Sequence, residues 1–252
     1  MSLKEALGLE SSQMVALIGA GGKTTTLFHL AKELRDNGGK VLVTTTTKIF
    51  KPAKPHVDRL FLVQDVDAFQ QESSKIVAPA IIGAGYSVDD EGKLLGLPRA
   101  WLDQLQQSRL FDSILVEADG AASRLFKVPS ELEPVVPSSC QVVIWVMAIK
   151  ILGKPLHPDS VHRAERAVAL LGAPQGTPLT KEHVLQLVKH PQGCLKGVPA
   201  GARKIALINQ ADSPDEIHKA NELAQPLVQL GFERAAITSY VSEDPVKAAI
   251  GN

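Results

Sequence analysis

A chain of 252 residues with 27 basic and 27 acidic side chains carries no net charge, which removes the electrostatic case for nucleic acid or an anionic membrane as a partner. Its 44% apolar content is ordinary globular material and no apolar run reaches membrane-spanning length, so a cytoplasmic protein is expected. The two cysteines, Cys140 and Cys194, have no zinc-ligand spacing and read as reduced thiols.

In chain order, residues 14–18 form an apolar run long enough for a short buried strand. Gly19, Gly21 and Gly22 follow, then Lys23 and Thr24, and then Leu27, Leu30, Ala31 and Leu34 at the spacing of one apolar helix face. Further buried strands are predicted at 40–45, 59–63 and 76–83, a hairpin near 89–92, a helix near 98–107, and strands at 113–116 and 141–147. Helices at 160–171 and 180–189, with no strand between them, read as a helical insertion at about 150–200 in a single domain. A strand at 204–208, a helix at 214–230 and a last strand at 235–238 complete the pattern. Strands without two-residue alternation, separated by amphipathic helices, predict an α/β fold: a mainly parallel sheet covered on both faces. Ligands of such sheets sit at the carboxyl ends of the strands.

Strand, glycine loop, Lys-Thr, helix is the layout of a phosphate-binding loop. Gly19, Ala20, Gly21 and Gly22 would curl so that backbone N–H groups converge on phosphate oxygens, with the following helix N-terminus behind them. Lys23 would neutralise phosphate charge and the Thr24 hydroxyl would bind magnesium, with Thr25 beside it. Such a lysine is expected to be solvated when no nucleotide is bound. The loop is shorter than the general pattern, with Leu17 in the slot of its first glycine. A dinucleotide fingerprint fits less well, because Thr24 replaces its third glycine and Thr44, Thr45, Thr46 and Thr47 stand where it wants an acid.

Four other clusters fall at predicted strand ends. Thr46, Thr47 and Lys48 offer hydroxyls for magnesium or phosphate and a cation for the substrate, although threonine is also a good strand residue. Glu117 and Asp119 stand where phosphate-loop enzymes carry the acid that holds magnesium or orients the attacking group. Asp119 is expected on the metal side and Glu117 in the other role; the plainer alternative is a solvated carboxylate at a strand exit. Lys127, Glu133 and several prolines make either a substrate wall or a stiff connector. His162 and Arg163 open a predicted helix and are either functional or a solvated face. Asn209-Gln210-Ala211-Asp212 resembles the Asn-Lys-x-Asp with which G proteins read guanine, but Asp212-Ser213-Pro214 is also good capping chemistry.

Together these segments resemble the YqeC-type accessory proteins associated with selenium-dependent molybdenum hydroxylases. The likeness rests on the loop at residues 19–25, Thr44 to Lys48, Glu117-Ala118-Asp119-Gly120-Ala121, Lys127, Pro129, Glu133, Pro134 and Pro137. Gly153-Lys154-Pro155-Leu156, Val161-His162-Arg163, His190-Pro191-Gln192-Gly193, Lys196-Gly197 and Asn209 to Asp212 extend it. Met147-Ala148-Ile149 departs from it, standing where a glycine-containing turn is expected. The resemblance implies a P-loop NTPase-like fold and a step driven by GTP or ATP with Mg2+ in maturing a molybdenum hydroxylase or its cofactor. It adds weight to Lys127, His162 and Arg163; with Lys48, Lys127 and Arg163 would face the acceptor or the transition-state charge. The alternatives are a nucleotide-switched chaperone that carries a cofactor, or a small-molecule kinase or amide ligase, since the loop also resembles that of the Mur ligases.

Overall fold

The computed structural model describes residues 1–10 and 13–251. Its elements are α1 (Leu3–Ala6), β1 (Gln13–Gly19), α2 (Lys23–Asp36), β2 (Lys40–Thr45), β3 (Lys48–Phe50), β4 (Arg59–Leu62), α3 (Val66–Ser74), β5 (Ala80–Gly85), β6 (Lys93–Leu95) and α4 (Arg99–Ser108). There follow β7 (Ser113–Glu117), β8 (Phe126–Lys127), β9 (Val142–Ala148), β10 (Val161–His162), α5 (Ala164–Leu171), α6 (Lys181–Lys189), β11 (Arg203–Asn209), α7 (Pro214–Gln229), β12 (Arg234–Thr238) and β13 (Val246–Gly251).

Nine strands make one sheet in the order β13-β12-β11-β9-β1-β7-β2-β5-β4, parallel throughout except for the antiparallel edge strand β13. The α/β class and the mainly parallel sheet are therefore as the sequence predicts. β1 is central and its alternate side chains enter two cores. Val15 and Leu17 meet Leu27, Leu30 and Ala31 of α2 and Leu3 of α1; Met14, Ala16 and Ile18 belong to the core formed with α3 to α7. A strand buried on both faces has no polar positions to alternate, which is why it reads as an unbroken apolar run.

Several boundaries differ from the sequence reading. The strand expected at 76–83 begins only at Ala80, after Pro79, and a helix at Val66–Ser74 precedes it, capped by the Asp65 carboxylate on the Asp67 and Ala68 amides. The helix expected from 160 begins at Ala164, because Val161 and His162 pair with Phe126 and Lys127 and Arg163 turns left-handed at φ 63°. The chain does not end its sheet at β12, since β13 adds an edge strand with intermediate burial. Lys48–Phe50 leaves β2 to pair antiparallel with β6, making a small ribbon beyond the carboxyl end of the main sheet. The glycine-free turn after β9 is a single 3-10 turn at Ile149–Ile151, entered from Ala148 in ordinary extended backbone. No helix among the described residues is long and apolar enough to cross a membrane.

Candidate nucleotide site

β1 delivers Gly19 to the centre of the carboxyl edge, and the loop to α2 is held against β9 and β11. Gly21 (φ 81°) is so close to β9 that a Cβ there would lie 2.5 Å from the Ala148 nitrogen and 2.7 Å from its Cβ. A Cβ on Gly22 (φ 130°) would overlap Asn209 Nδ2. Both positions therefore need glycine for packing as well as for backbone conformation.

The loop amides divide in a way the motif does not reveal. Gly19 N–H donates to Asp119 Oδ2 at 3.0 Å, Ala20 N–H to the Val146 carbonyl at 2.9 Å and Gly21 N–H to the Arg124 carbonyl at 3.0 Å. Those three are used to hold the loop, so the expected cradle at Gly19, Ala20 and Gly21 shifts toward the helix. Among the described residues, the amides of Gly22, Lys23, Thr24 and Thr25 have no intramolecular acceptor, and no side chain caps α2. Four free donors stand at the positive end of a 14-residue helix, where negative charge is favoured.

Lys23 is buried rather than solvated. Its Nζ donates to the Gly19 carbonyl at 2.6 Å and lies 3.0 Å from Asp119 Oδ1 and 3.8 Å from Glu117 Oε1. The two carboxylates at the end of β7 draw it back over the loop. The Thr24 hydroxyl donates to Glu117 Oε2 at 2.7 Å. Glu117 is thus the carboxylate beside the threonine, whereas Asp119 is the one expected from sequence on the metal side. Burial pushes the Glu117 carboxyl above the usual carboxylate range, against the pull of Lys23 and the Thr24 hydroxyl.

Behind this pair runs a buried chain of alternating charge. Asp119 Oδ2 lies 3.3 Å from Lys127 Nζ, which is 3.0 Å from Glu133 Oε2 and also donates to the Gly120 carbonyl. Arg163 reaches the same Glu133 oxygen at 3.0 Å. Burial alone would raise the Glu133 carboxyl, but Lys127, the Ser130 amide and Arg163 hold it at about 2. Lys127 and Arg163, expected to face an acceptor, instead brace Asp119 and Glu133 outside the lining of the cleft.

The threonine cluster is also structural in large part. The hydroxyls of Thr44, Thr45 and Thr46 donate to the carbonyls of Ala84, Glu117 and Val135, and Thr47 shares its hydroxyl with Thr45. Thr46 and Thr47 lie outside the cleft lining, whereas Thr24 and Glu117 belong to it. Asn209 is buried: its Nδ2 donates to the Gly21 carbonyl at 2.8 Å and its Oδ1 accepts from Thr238. Asp212 is engaged by Lys150 at 2.5 Å and by the Ser239 hydroxyl at 2.6 Å, while Ser213 is the true N-cap of α7.

Magnesium fits this donor set. It is usually held by one or two carboxylates plus substrate phosphates rather than by an all-protein cage. The site offers the Thr24 hydroxyl and Glu117, and Asp119 Oδ1, though close to Lys23, is buried without an aligned hydrogen bond. No set of three or more His, Cys, Asp or Glu converges on a metal position among the described residues.

A cleft of about 650 Å³ opens over these groups. Gly21 to Thr25 and Glu117 line it together with Lys48, Phe50 and Lys93 of the ribbon, Gly120 to Arg124, His162 and Gln210; the Arg124 carbonyl and the Gln210 side-chain amide both meet Gly21. Sequence reasoning missed Phe50, Lys93 and Arg124, which no local motif marks; they come together only because β3 pairs with β6 and the chain turns after Gly120.

The family model for YqeC protein matches residues 15–165, which takes in the loop, both carboxylates, Lys127, Glu133 and Arg163. The chain is also 34% identical, over 220 residues, to "Uncharacterized protein YqeC" of Escherichia coli (strain K12), a likeness that covers 87% of this chain and 84% of that one. On both counts the chain belongs to the YqeC family.

Proposed function

We propose that this protein is a P-loop NTPase-like enzyme that uses GTP or ATP with Mg2+, by hydrolysis or by phosphoryl or nucleotidyl transfer. The observation that carries this reading is the Thr24 hydroxyl on Glu117 beside Lys23, directly under four free amides at the N-terminus of α2. Phosphate oxygens would take the Gly22 to Thr25 amides, and Lys23 would turn from Asp119 toward the phosphates. Magnesium, when bound between Thr24, Glu117 and the phosphates, would supply charge neutralisation of the transferred group. Positioning and electrostatics of this kind carry phosphoryl transfer. We place the reaction in maturation of a selenium-dependent molybdenum hydroxylase or its cofactor, on the resemblance of the segments described above.

A second reading is a cofactor-carrying chaperone switched by nucleotide. The ion-pair chain from Asp119 through Lys127 and Glu133 to Arg163 favours it, because Arg163 is the N-cap residue of α5 and would pass a movement at the phosphate site to the helical segment. Native mass spectrometry of protein purified without added ligand, then a thermal-shift panel of GTP, ATP and CTP with magnesium, tests both. Saturation at a hundredfold excess over Kd stabilises by about 2.7 kcal/mol. Turnover without a partner supports the enzyme, and tight binding with negligible hydrolysis supports the switch. If no triphosphate stabilises the protein, both readings fall.

A further inference from the structure

The cleft is wider than the phosphate site. Gln210 follows β11 and the Lys48–Phe50 ribbon follows β2, and the strands between them run β11-β9-β1-β7-β2. Four strand spacings are roughly 19 Å. The loop after β1 stands midway, so one flank, toward Gln210, remains for the nucleoside, and the other has no part in holding a triphosphate.

That other flank has a distinct chemistry. Lys48 and Lys93 line it, whereas Glu117 is the only carboxylate in the lining among the described residues. Lys48 and Lys93 pair with Asp89 and Glu91, but these are exposed contacts, with side chains 61% and 36% exposed for the lysines, and such pairs exchange readily for a ligand anion. Phe50 lies beside both lysines with 73% of its surface exposed, an aromatic face with no partner ring among the described residues. His162 lines the same flank, and its imidazole makes no hydrogen bond or ion pair among the described residues.

We infer that this flank is a second binding site, for a planar acceptor that carries a phosphate group, stacked on Phe50 with its anion between Lys48 and Lys93. The inference rests on the nucleotide reading for the word acceptor, but not for the site itself. Burial, then the neighbouring Lys127 and Arg163, lower the His162 pKa against the opposing pull of Glu133 and Asp119, which favours the neutral imidazole as an acceptor for a hydrogen bond from the bound molecule.

The probe is riboflavin 5′-phosphate, titrated into the full chain with magnesium and a saturating non-hydrolysable triphosphate and read by flavin fluorescence. Binding is expected with the nucleotide still in place, with a shift of the His162 imidazole resonance. It should weaken at least tenfold for riboflavin without its phosphate and for the double variant Lys48→Ala/Lys93→Ala, whose nucleotide affinity stays unchanged. Phe50→Ala should weaken both flavins alike. Competition with the nucleotide, no binding at millimolar probe, or indifference to the double variant overturns the second site. If the flavin binds as described while no triphosphate does, the nucleotide reading falls and the site stands.

Discussion

The two flanks of the cleft are built to opposite rules. Behind the phosphate loop, Lys23, Asp119 and Lys127 are buried and, with the partly buried Glu133, form one connected chain with little access to water. On the ribbon side Lys48, Phe50 and Lys93 stand in solvent with weak local partners. The first arrangement fixes geometry in advance and costs stability, because buried ions must be matched or neutralised. The second costs the fold little and can be replaced without disturbing it.

Lys127→Met should break this contrast most strongly. It leaves Asp119 and Glu133 buried beside each other without their common cation, and loss of one partner of a buried pair costs about 3–5 kcal/mol. Chemical denaturation should show that loss, while Lys48→Ala leaves the unfolding midpoint where it is. Equal effects of the two would mean that the flanks do not differ. Lys23→Ala comes next. A solvated P-loop lysine would be lost without cost to the fold, but this one is buried on Asp119, so we expect about 2 kcal/mol of destabilisation together with loss of triphosphate binding. Unchanged triphosphate affinity would remove the phosphate-loop reading.

Acid should act on the buried side alone. Glu133 is held at about 2, from an ordinary value of 4.5, so its contribution is present above pH 4.5 and is lost as pH falls toward 2. Glu133→Gln should flatten that part of the stability profile, and a parallel profile would show that Glu133 is not the group responsible. Glu117 has the opposite sign. Its raised pKa means that the charged form opposes folding at neutral pH, with the favourable protonated state lost as pH rises through the folded value. Glu117→Gln should therefore raise the melting temperature of ligand-free protein by about 2–4 °C for each kcal/mol gained, while reducing magnesium-dependent nucleotide stabilisation. A lower melting temperature would show that the Lys23 and Thr24 contacts outweigh the burial. The smallest effect is expected at Asp212. Its engagement by Lys150 and Ser239 predicts that Asp212→Asn leaves the order of GTP, ATP and xanthosine triphosphate unchanged; a gain for xanthosine triphosphate would place Asp212 at the base.

Residues 13–36 illustrate what short-range pattern can establish. Apolar run, glycines, Lys-Thr and helical periodicity are all local, and they specify β1, the loop and α2 closely. The parallel sheet followed for the same reason, since strands buried on both faces write themselves as apolar runs. The elements that were missed or displaced are those whose partners lie far away. Lys48–Phe50 is a strand only because Lys93–Leu95 lies against it, and β13, though Val246, Ala248, Ala249 and Ile250 are apolar, is only half-buried at an edge that the chain joins through β12. The helix at Val66–Ser74 presents just Val66, Phe69 and Ser73 to the core.

The sequence by itself determined the fold class, the phosphate-loop layout and the pair of carboxylates at the end of β7, because each is encoded within a few residues. Tertiary structure alone decided which carboxylate meets Thr24, which loop amides remain free, and that Lys127, Glu133 and Arg163 stand behind Asp119 rather than in the cleft. Those outcomes depend on where the chain turns after Gly120 and on the pairing of β8 with β10, which brings Arg163 within about 3 Å of Glu133, 30 positions before it. At that range Coulomb energy and burial, not sequence spacing, choose the partners.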